Sequence, residues 1–318
     1  MDFSTAAILG TGTMGPGIAT TLALGGVTTT IVSRTEDGAE RGARAADGYL
    51  AHLLDAGLVS EAERDAARAR IHVSARLDTA ASDADLVVES VPEQMPLKQD
   101  LFAHLDAITR PDAVLASNTS GLSITAIAAR CAHPERVLTT HFWNPPHLMP
   151  LVEIVRGAST DPSVAEGVKA LLIRCGKKPV MVRKDRPGQL GNRMQMALVR
   201  EAVNIVAEGI ADPEDVDLAA RLGFGLRLPA YGVLEHQDLV GLELGHAVCD
   251  YVARDLYNEP HAPPLYREKM AAGAFGAATG RGFLDWSRKS PEEVKARRDR
   301  FIVECLKAGI HHAGPHPK

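Results

Sequence analysis

One pair of side chains in this sequence has both the chemistry and the setting for proton transfer. Residues 137–155 read V-L-T-T-H-F-W-N-P-P-H-L-M-P-L-V-E-I-V. Two β-rich runs, 137–141 and 151–155, flank a connection that holds Pro145, Pro146 and Pro150. Proline cannot donate to a sheet ladder, so these residues belong to a loop. His141 is therefore expected at the end of one strand and Glu153 within the next. A neutral imidazole takes a proton near neutral pH, and a carboxylate beside it fixes the tautomer. Taken alone, the pair reads more readily as a partly buried histidine and a strand carboxylate bonded to something nearby. The elements that position it change that reading.

Residues 6–19 read A-A-I-L-G-T-G-T-M-G-P-G-I-A. A short apolar strand enters the glycine turn Gly10-x-Gly12-x-x-Gly15, and a helix follows through Leu24. Gly10 suits the tight turn, Gly12 lets backbone approach a pyrophosphate, and Gly15 lets helix pack on strand. With Thr13 and Met14 between them, these are the expected dinucleotide-binding residues, since a helix N-terminus offers N–H groups to phosphates. A lone glycine motif is weak, but here a strand precedes it and a helix follows, as the motif requires. The second strand, 28–32, ends in Ser33-Arg34-Thr35, where an acid would take the ribose 2′-OH of NAD. A hydroxyl beside a guanidinium suits a 2′-phosphate instead, so NADP is favoured over NAD, unless Arg34 only stacks on the adenine or points to water.

Further elements are expected as helices 38–57 and 60–70, strand 84–90, helix 97–108 and strand 113–116. Ser117-Asn118-Thr119-Ser120 then falls at a strand's carboxyl end, the edge where ligands bind in open α/β sheets. It also reads as a simple turn and N-cap for a helix from Ile124. Ser120 is the residue whose hydroxyl is expected to reach the substrate oxygen or the cofactor amide. Helix 164–175 and strand 178–183 close the first domain.

The blocks G-T-G-T-M-G-P-G-I-A, S-N-T-S, H-F-W-N-P-P-H-L-M-P-L-V-E and P-G-Q-L-G-N-R, in that order, resemble the 3-hydroxyacyl-CoA dehydrogenase superfamily. The resemblance runs from the glycine loop to Gly280–Phe283. It implies His141 as general base, Glu153 as the carboxylate orienting it, and Ser120 and Asn192 as hydrogen-bond partners of the substrate oxygen. It further implies Asn144 beside the nicotinamide, Asn118 among the cofactor-binding residues, and Glu93 and Lys98 lining the cofactor groove. Homodimers in the family imply one here. The expected activity is NAD(P)-dependent interconversion of a 3-hydroxyacyl-CoA, or a closely related 3-hydroxy acid, and its 3-keto form. Three departures bear on this. The stretch 48–70, where relatives place lysines for the CoA phosphates, has no lysine, although Arg64, Arg68 and Arg70 lie towards its end. Gln189 and Gly191 re-cut the approach to Asn192, and Ser33 replaces the usual acid. The Asn-Pro-Pro form looks more like the branch with lambda-crystallin (gulonate dehydrogenase) and the pyridine-carboxylate dehydrogenase of vitamin B6 breakdown. That branch implies a small polar hydroxy carboxylate as the alternative substrate. A catalytically idle, crystallin-like binding protein is the alternative of another class. Decarboxylating β-hydroxyacid dehydrogenases rely on a lysine in the helix that here begins P-G-Q-L-G-N-R-M-Q-M, which has none.

Length and composition agree with two domains. The chain has 318 residues, 45% hydrophobic and 24% charged, with a net charge of −5. The longest basic cluster is Lys177–Lys178, so no nucleic-acid surface is expected. Four widely spaced cysteines lack metal or disulfide spacing, and His236 and His246 form no ligand trio with Glu235 or Asp238, so no metal site is expected. No signal peptide or membrane span is apparent, and a cytoplasmic protein is expected. Asp185-Arg186-Pro187-Gly188 reads as an interdomain hinge. Beyond it the pattern is helical, with Asp212 expected to cap a helix that has Pro213 in its first turn. Arg227, in a glycine-punctuated loop, suits a substrate carboxylate or equally a surface role. His311, His312 and His316 fall in a Gly/Pro tail expected to be disordered. The expected fold is α/β: an N-terminal Rossmann doubly wound sheet, 1–186, and an all-α substrate and dimerisation domain, 187–318.

Overall fold

The computed structural model describes residues 1–310; His311, His312 and His316 lie outside them. The chain forms two compact units, Met1–Arg193 and Met194–Lys318. In the first, β1 (Thr5–Leu9), α1 (Gly15–Leu24), β2 (Thr28–Val32), α2 (Glu36–Asp55), α3 (Glu61–Ala69), β3 (Ile71–Ser74), α4 (Leu77–Ser82) and β4 (Leu86–Glu89) come in sequence. They are followed by α5 (Met95–Ile108), β5 (Val114–Ser117), α6 (Ile124–Ile127), β6 (Val137–Phe142), β7 (Leu151–Arg156), α7 (Pro162–Arg174) and β8 (Lys178–Val182). The eight strands form one sheet in the order β3-β2-β1-β4-β5-β6-β7-β8. All neighbours pair in parallel except β6 and β7, which run antiparallel. This is a doubly wound Rossmann sheet extended at one edge.

Alternate side chains of a strand point to opposite faces, and here both faces are buried. Ala6, Ile8, Leu86, Val88, Val114 and Ala116 pack on one side with Ile18 and Leu22 of α1 and Val168 and Leu172 of α7. Ala7, Leu9, Val87 and Leu115 pack on the other with Phe102 and Leu105 of α5. Under that second layer Arg136 and Asp106 form a buried pair. Arg136 donates to the Asp106 carboxylate at 2.7 and 3.1 Å, and also to the Asp106 and Ala113 carbonyls.

The sequence left β3 and α4 unanticipated. β3 is a four-residue edge strand with two exposed positions, and α4 has six residues, so neither carries enough periodicity to read. Ser60 and Glu63 form a reciprocal capping box that starts α3. Asp185 is fixed rather than loose: its carboxylate accepts from the Ser123 hydroxyl at 2.5 Å and the Thr125 N–H at 2.9 Å.

α8 (Gly191–Ala207) leads into α9 (Pro213–Leu222), α10 (Val233–Val240), α11 (Leu242–Val252), α12 (Leu265–Ala271) and α13 (Pro291–Lys307). The second unit is thus helical. Asp212 occupies the N-cap of α9 as expected, but its side chain makes no capping bond there; its backbone carbonyl accepts instead from Asp215 and Val216 N–H. Among the described residues no helix is long and apolar enough to cross a membrane.

Candidate active site

The antiparallel pairing of β6 with β7 sets His141 opposite Glu153 in register. Directly opposed residues of such a pair share a face at contact distance. His141 Nδ1 lies 2.6 Å from Glu153 Oε2, with His141 5% and Glu153 0% exposed. Three further donors reach the same carboxylate. Trp143 Nε1–H approaches Oε2 at 3.3 Å, and the Leu190 and Gly191 N–H groups donate to Oε1 at 3.0 and 2.7 Å. The last two belong to the start of α8, whose positive end favours an anion. Burial alone would raise the Glu153 pKa. The hydrogen bonds from His141, Gly191 and Leu190 outweigh it and hold the carboxyl below the usual carboxylate range. An ionised partner on Nδ1 places the proton there and leaves the lone pair on Nε2.

At the end of β5 a second polar network holds the 117–121 turn. Glu89, 0% exposed, accepts from Lys98 Nζ at 2.6 Å, Val91 N–H at 2.6 Å and the Ser117 hydroxyl at 2.7 Å. Glu93 sits 3.4 Å from Lys98 Nζ and accepts from the Thr119 hydroxyl at 2.5 Å and the Ser120 N–H at 3.0 Å. Burial pushes Glu93 up, but these bonds and the Lys98 charge bring it below its ordinary value. Lys98, 1% exposed, is enclosed by carboxylates. Asn192 Nδ2 donates to the Ser120 carbonyl at 2.7 Å, and Gln189 Nε2 to the Thr119 carbonyl at 2.7 Å. Asn118 Oδ1 accepts from Phe142 N–H at 2.8 Å, tying this turn to the strand that carries His141. Ser120, Asn192, Glu93, Lys98 and Asn118 are thus brought into one connected region with His141 and Glu153. Asn144 is exposed in the loop that follows. Arg227 is exposed in a turn of the helical unit.

The glycine loop fits a dinucleotide. Gly10 has φ +116°, and a Cβ there would lie 2.5 Å from the Ser90 carbonyl oxygen. A Cβ at Gly15 would collide with the Gly10 carbonyl oxygen. At Gly12 an added Cβ would meet nothing within 4 Å, so no protein contact requires that glycine and its backbone borders open space. Among the described residues no side chain caps the first turn of α1, where Met14 is the N-cap residue, which leaves its N–H groups for phosphate oxygens. Thr13 lies within this loop, its carbonyl 3.5 Å from the Tyr49 hydroxyl. After β2, Ser33 packs against Gly38, whose added Cβ would strike the Ser33 hydroxyl, and Thr35 accepts from Gly38 N–H as the α2 cap. Arg34 is exposed and enters no salt bridge among the described residues. Glu36 and Asp37 follow it in the first turn of α2.

The loop 143–150 is fastened from beneath by groups the sequence did not single out. Lys177, there merely half of a basic pair, is 6% exposed and donates to the Pro146 and Met149 carbonyls at 2.6 and 2.9 Å. Burial pushes its ammonium down to about 8. The Thr21 hydroxyl also reaches the Pro146 carbonyl, at 3.3 Å. His147 stacks on Tyr49 and lies 3.4 Å from His52 Nδ1, so α2 braces the same loop.

Comparison with known proteins agrees with this architecture. The NAD binding domain of 3-hydroxyacyl-CoA dehydrogenase matches residues 5–186, and the C-terminal domain of that family matches residues 188–286. The 5-formyl-3-hydroxy-2-methylpyridine 4-carboxylate 5-dehydrogenase of Mesorhizobium japonicum is 35% identical over 93% of this chain and 95% of its own. A probable 3-hydroxybutyryl-CoA dehydrogenase of Bacillus subtilis is 36% identical over 91% of this chain and all of its own. Among solved structures, that of a 5-formyl-3-hydroxy-2-methylpyridine 4-carboxylic acid 5-dehydrogenase, described as an NAD+ dependent dismutase, matches with a TM-score of 0.89. It is 33% identical and covers 98% of this chain and 99% of its own. Mycobacterium tuberculosis FadB2 matches with a TM-score of 0.74, at 35% identity over 90% of this chain and 99% of its own. The chain is a dehydrogenase of the CH–OH type and belongs to the 3-hydroxyacyl-CoA dehydrogenase family.

Proposed function

We propose that this protein interconverts a carbinol and a carbonyl on a small polar carboxylate, with His141 as the acid–base group. The His141–Glu153 pair carries this reading. In oxidation Nε2 of neutral His141 takes the hydroxyl proton, and in reduction the imidazolium returns it. Glu153 stays ionised, keeps Nδ1 protonated and balances the imidazolium charge, as a carboxylate does in comparable pairs. A nicotinamide dinucleotide held by Gly10, Gly12, Thr13, Met14 and Gly15 supplies the hydride chemistry when bound. Ser120 and Asn192 donate to the substrate oxygen, Asn192 using one amide hydrogen there and the other on the Ser120 carbonyl. Asn118, Asn144, Glu93 and Lys98 shape the nicotinamide side, with Lys98 acting through Glu93.

The preference for a free carboxylate over a thioester rests on the α2–α3 hairpin. Over residues 48–70 four carboxylates face three arginines. Each arginine has a partner: Arg64 beside Asp65 at 2.6 Å, Arg68 with Asp47 at 3.1 Å, and Arg70 on the Ala23 carbonyl at 3.4 Å. With four carboxylates against three arginines, the phosphates of CoA would meet no net positive charge over that stretch. A 3-hydroxyacyl-CoA substrate remains the second reading, favoured by the similarity to 3-hydroxybutyryl-CoA dehydrogenases. Arg227 is the proposed carboxylate ligand. For the cofactor, exposed, unpaired Arg34 beside Ser33 favours NADP, while Glu36 and Asp37 oppose a second phosphate.

Initial rates with acetoacetyl-CoA and with a panel of small oxo- and aldehyde-carboxylates, each with NADH and NADPH, test these choices. His141→Gln serves as the blank. Turnover of a free carboxylate but not of acetoacetyl-CoA is the expected result. Turnover confined to acetoacetyl-CoA would install the second reading, and a rate ratio favouring NADH would remove the role given to Arg34.

A further inference from the structure

Trp143 makes three contacts that the proton chemistry above does not use. It follows His141 by two residues, just past the end of β6. Their rings lie 5.4 Å apart between centroids, tilted by 51°. The indole N–H points to Glu153 Oε2 at 3.3 Å, the same oxygen that lies 2.6 Å from His141 Nδ1. The six-membered half of the indole covers Gly191. A Cβ on Gly191 would collide with Trp143 Cζ2 and would stand 3.2 Å from Cη2 and 3.4 Å from Cε2. Gly191 is not among the glycines with positive φ, so its backbone conformation does not call for glycine. The indole does.

We propose that Trp143 is a positioning residue of the acid–base pair, sharing with His141 one oxygen of Glu153, and that Gly191 provides the space in which its indole sits. The proposal rests on the reading of His141 as the acid–base group.

A second donor on Oε2 stabilises the carboxylate and draws electron density away from the His141 Nδ1–H. The carboxylate then stabilises the imidazolium less than it would with His141 as the only donor on that oxygen. The indole and the Leu190–Gly191 N–H groups together grip both oxygens of Glu153, so the carboxylate cannot rotate away from the imidazole. The tryptophan thus trades some stabilisation of the charged histidine for a fixed carboxylate and a more available base.

Histidine-ring ¹H–¹⁵N NMR titration of the full chain tests this, with the His141 signal assigned by its loss in His141→Gln. Trp143→Phe removes the N–H and the atoms over Gly191, and should raise the His141 midpoint by about 0.3–1 pH unit. Gly191→Ala leaves Trp143 in the sequence but dislodges the indole, and should produce a shift in the same direction. The double variant should match Trp143→Phe alone, because the phenyl ring lacks the atoms the added methyl would strike. An unchanged midpoint in either single variant, with only a lower thermal midpoint, would reduce Trp143 to a packing residue and overturn the proposal. Additive shifts would also overturn it, since Gly191→Ala would then act through its own N–H to Glu153. If Trp143→Phe does not fold, Gly191→Ala alone decides by the same criterion. Turnover of His141→Gln keeps the two ideas separable. Full activity there would sink the acid–base reading while the coupling measured by NMR stood.

Discussion

Four N–H donors converge on the two oxygens of Glu153, and that convergence gives His141 a single defined job. Removing the imidazole removes proton transfer without disturbing the dinucleotide loop. His141→Gln should therefore lower kcat by about 10²–10⁴-fold, the usual worth of a positioned general base. Cofactor affinity, followed by nicotinamide fluorescence, should stay unchanged. Glu153 makes a separate prediction for stability. Its folded pKa is held below the ordinary value, so its contribution is complete above that value and is lost as pH falls through the folded one. Glu153→Gln should accordingly flatten the acid limb of a denaturation-against-pH curve below about pH 4.5, where the wild type weakens. The histidine and the glutamate were legible because they sit in two β-rich runs that flank a proline-marked loop. Trp143 and Lys177 were not, and Gln189 was legible only as a departure near Asn192, without its bond to the Thr119 carbonyl. A tryptophan near a histidine, a lysine in a basic pair and a glutamine in a turn acquire meaning only from the atoms they meet in the folded chain, such as Gly191 under the indole or the Thr119 carbonyl on Gln189.

At the scale of elements, the glycine loop separates two roles that one motif conceals. Gly15→Ala sets a methyl against the Gly10 carbonyl, so it should unseat α1 from β1 and lower the thermal midpoint as well as abolish binding. Gly12→Ala meets no protein atom within 4 Å, so the chain should fold with a near-normal thermal midpoint yet lose dinucleotide affinity by at least tenfold. Calorimetry and cofactor titration on the two variants check the split. If Gly12→Ala bound the cofactor normally, the pyrophosphate would have to lie elsewhere. Beneath the sheet, Arg136→Ala leaves Asp106 ionised and buried without its partner, and should cost about 3–5 kcal/mol in denaturant unfolding. The strands were readable where both faces are buried, as runs such as Ala6–Leu9 show by their unbroken apolar character. β3 escaped because an exposed edge strand needs only a few ordered hydrogen bonds to β2 and no apolar pattern at all.

For the whole molecule, the helical unit contrasts with the sheet. Beyond Arg193 the buried residues among those described are Val203, Asn204, Pro263 and Val303. Leu234, Leu239 and Tyr251 are each more than 70% exposed. A surface this apolar is seldom left to water, and we propose that a second copy of the chain covers it. Light scattering should give twice the 33.9 kDa chain mass. Replacing Leu234 and Leu239 with lysine should return the monomer, and a monomeric wild type would refute the homodimer. The helical character of this region was legible from its stripe of apolar residues. What covers those residues was not, since periodicity reports a buried face without naming what buries it.

The register that sets His141 against Glu153 has one more consequence. The pair is joined through a ladder of strand hydrogen bonds, while beyond Trp143 the seven residues from 144 to 150 merely close the hairpin above it. Shortening, lengthening or replacing that loop need not change which residues face each other, provided the ladder survives. Selection, natural or in the laboratory, can therefore redraw the loop beyond Trp143 while inheriting the proton machinery beneath it, so a new substrate can be admitted without reinventing the chemistry that acts on it.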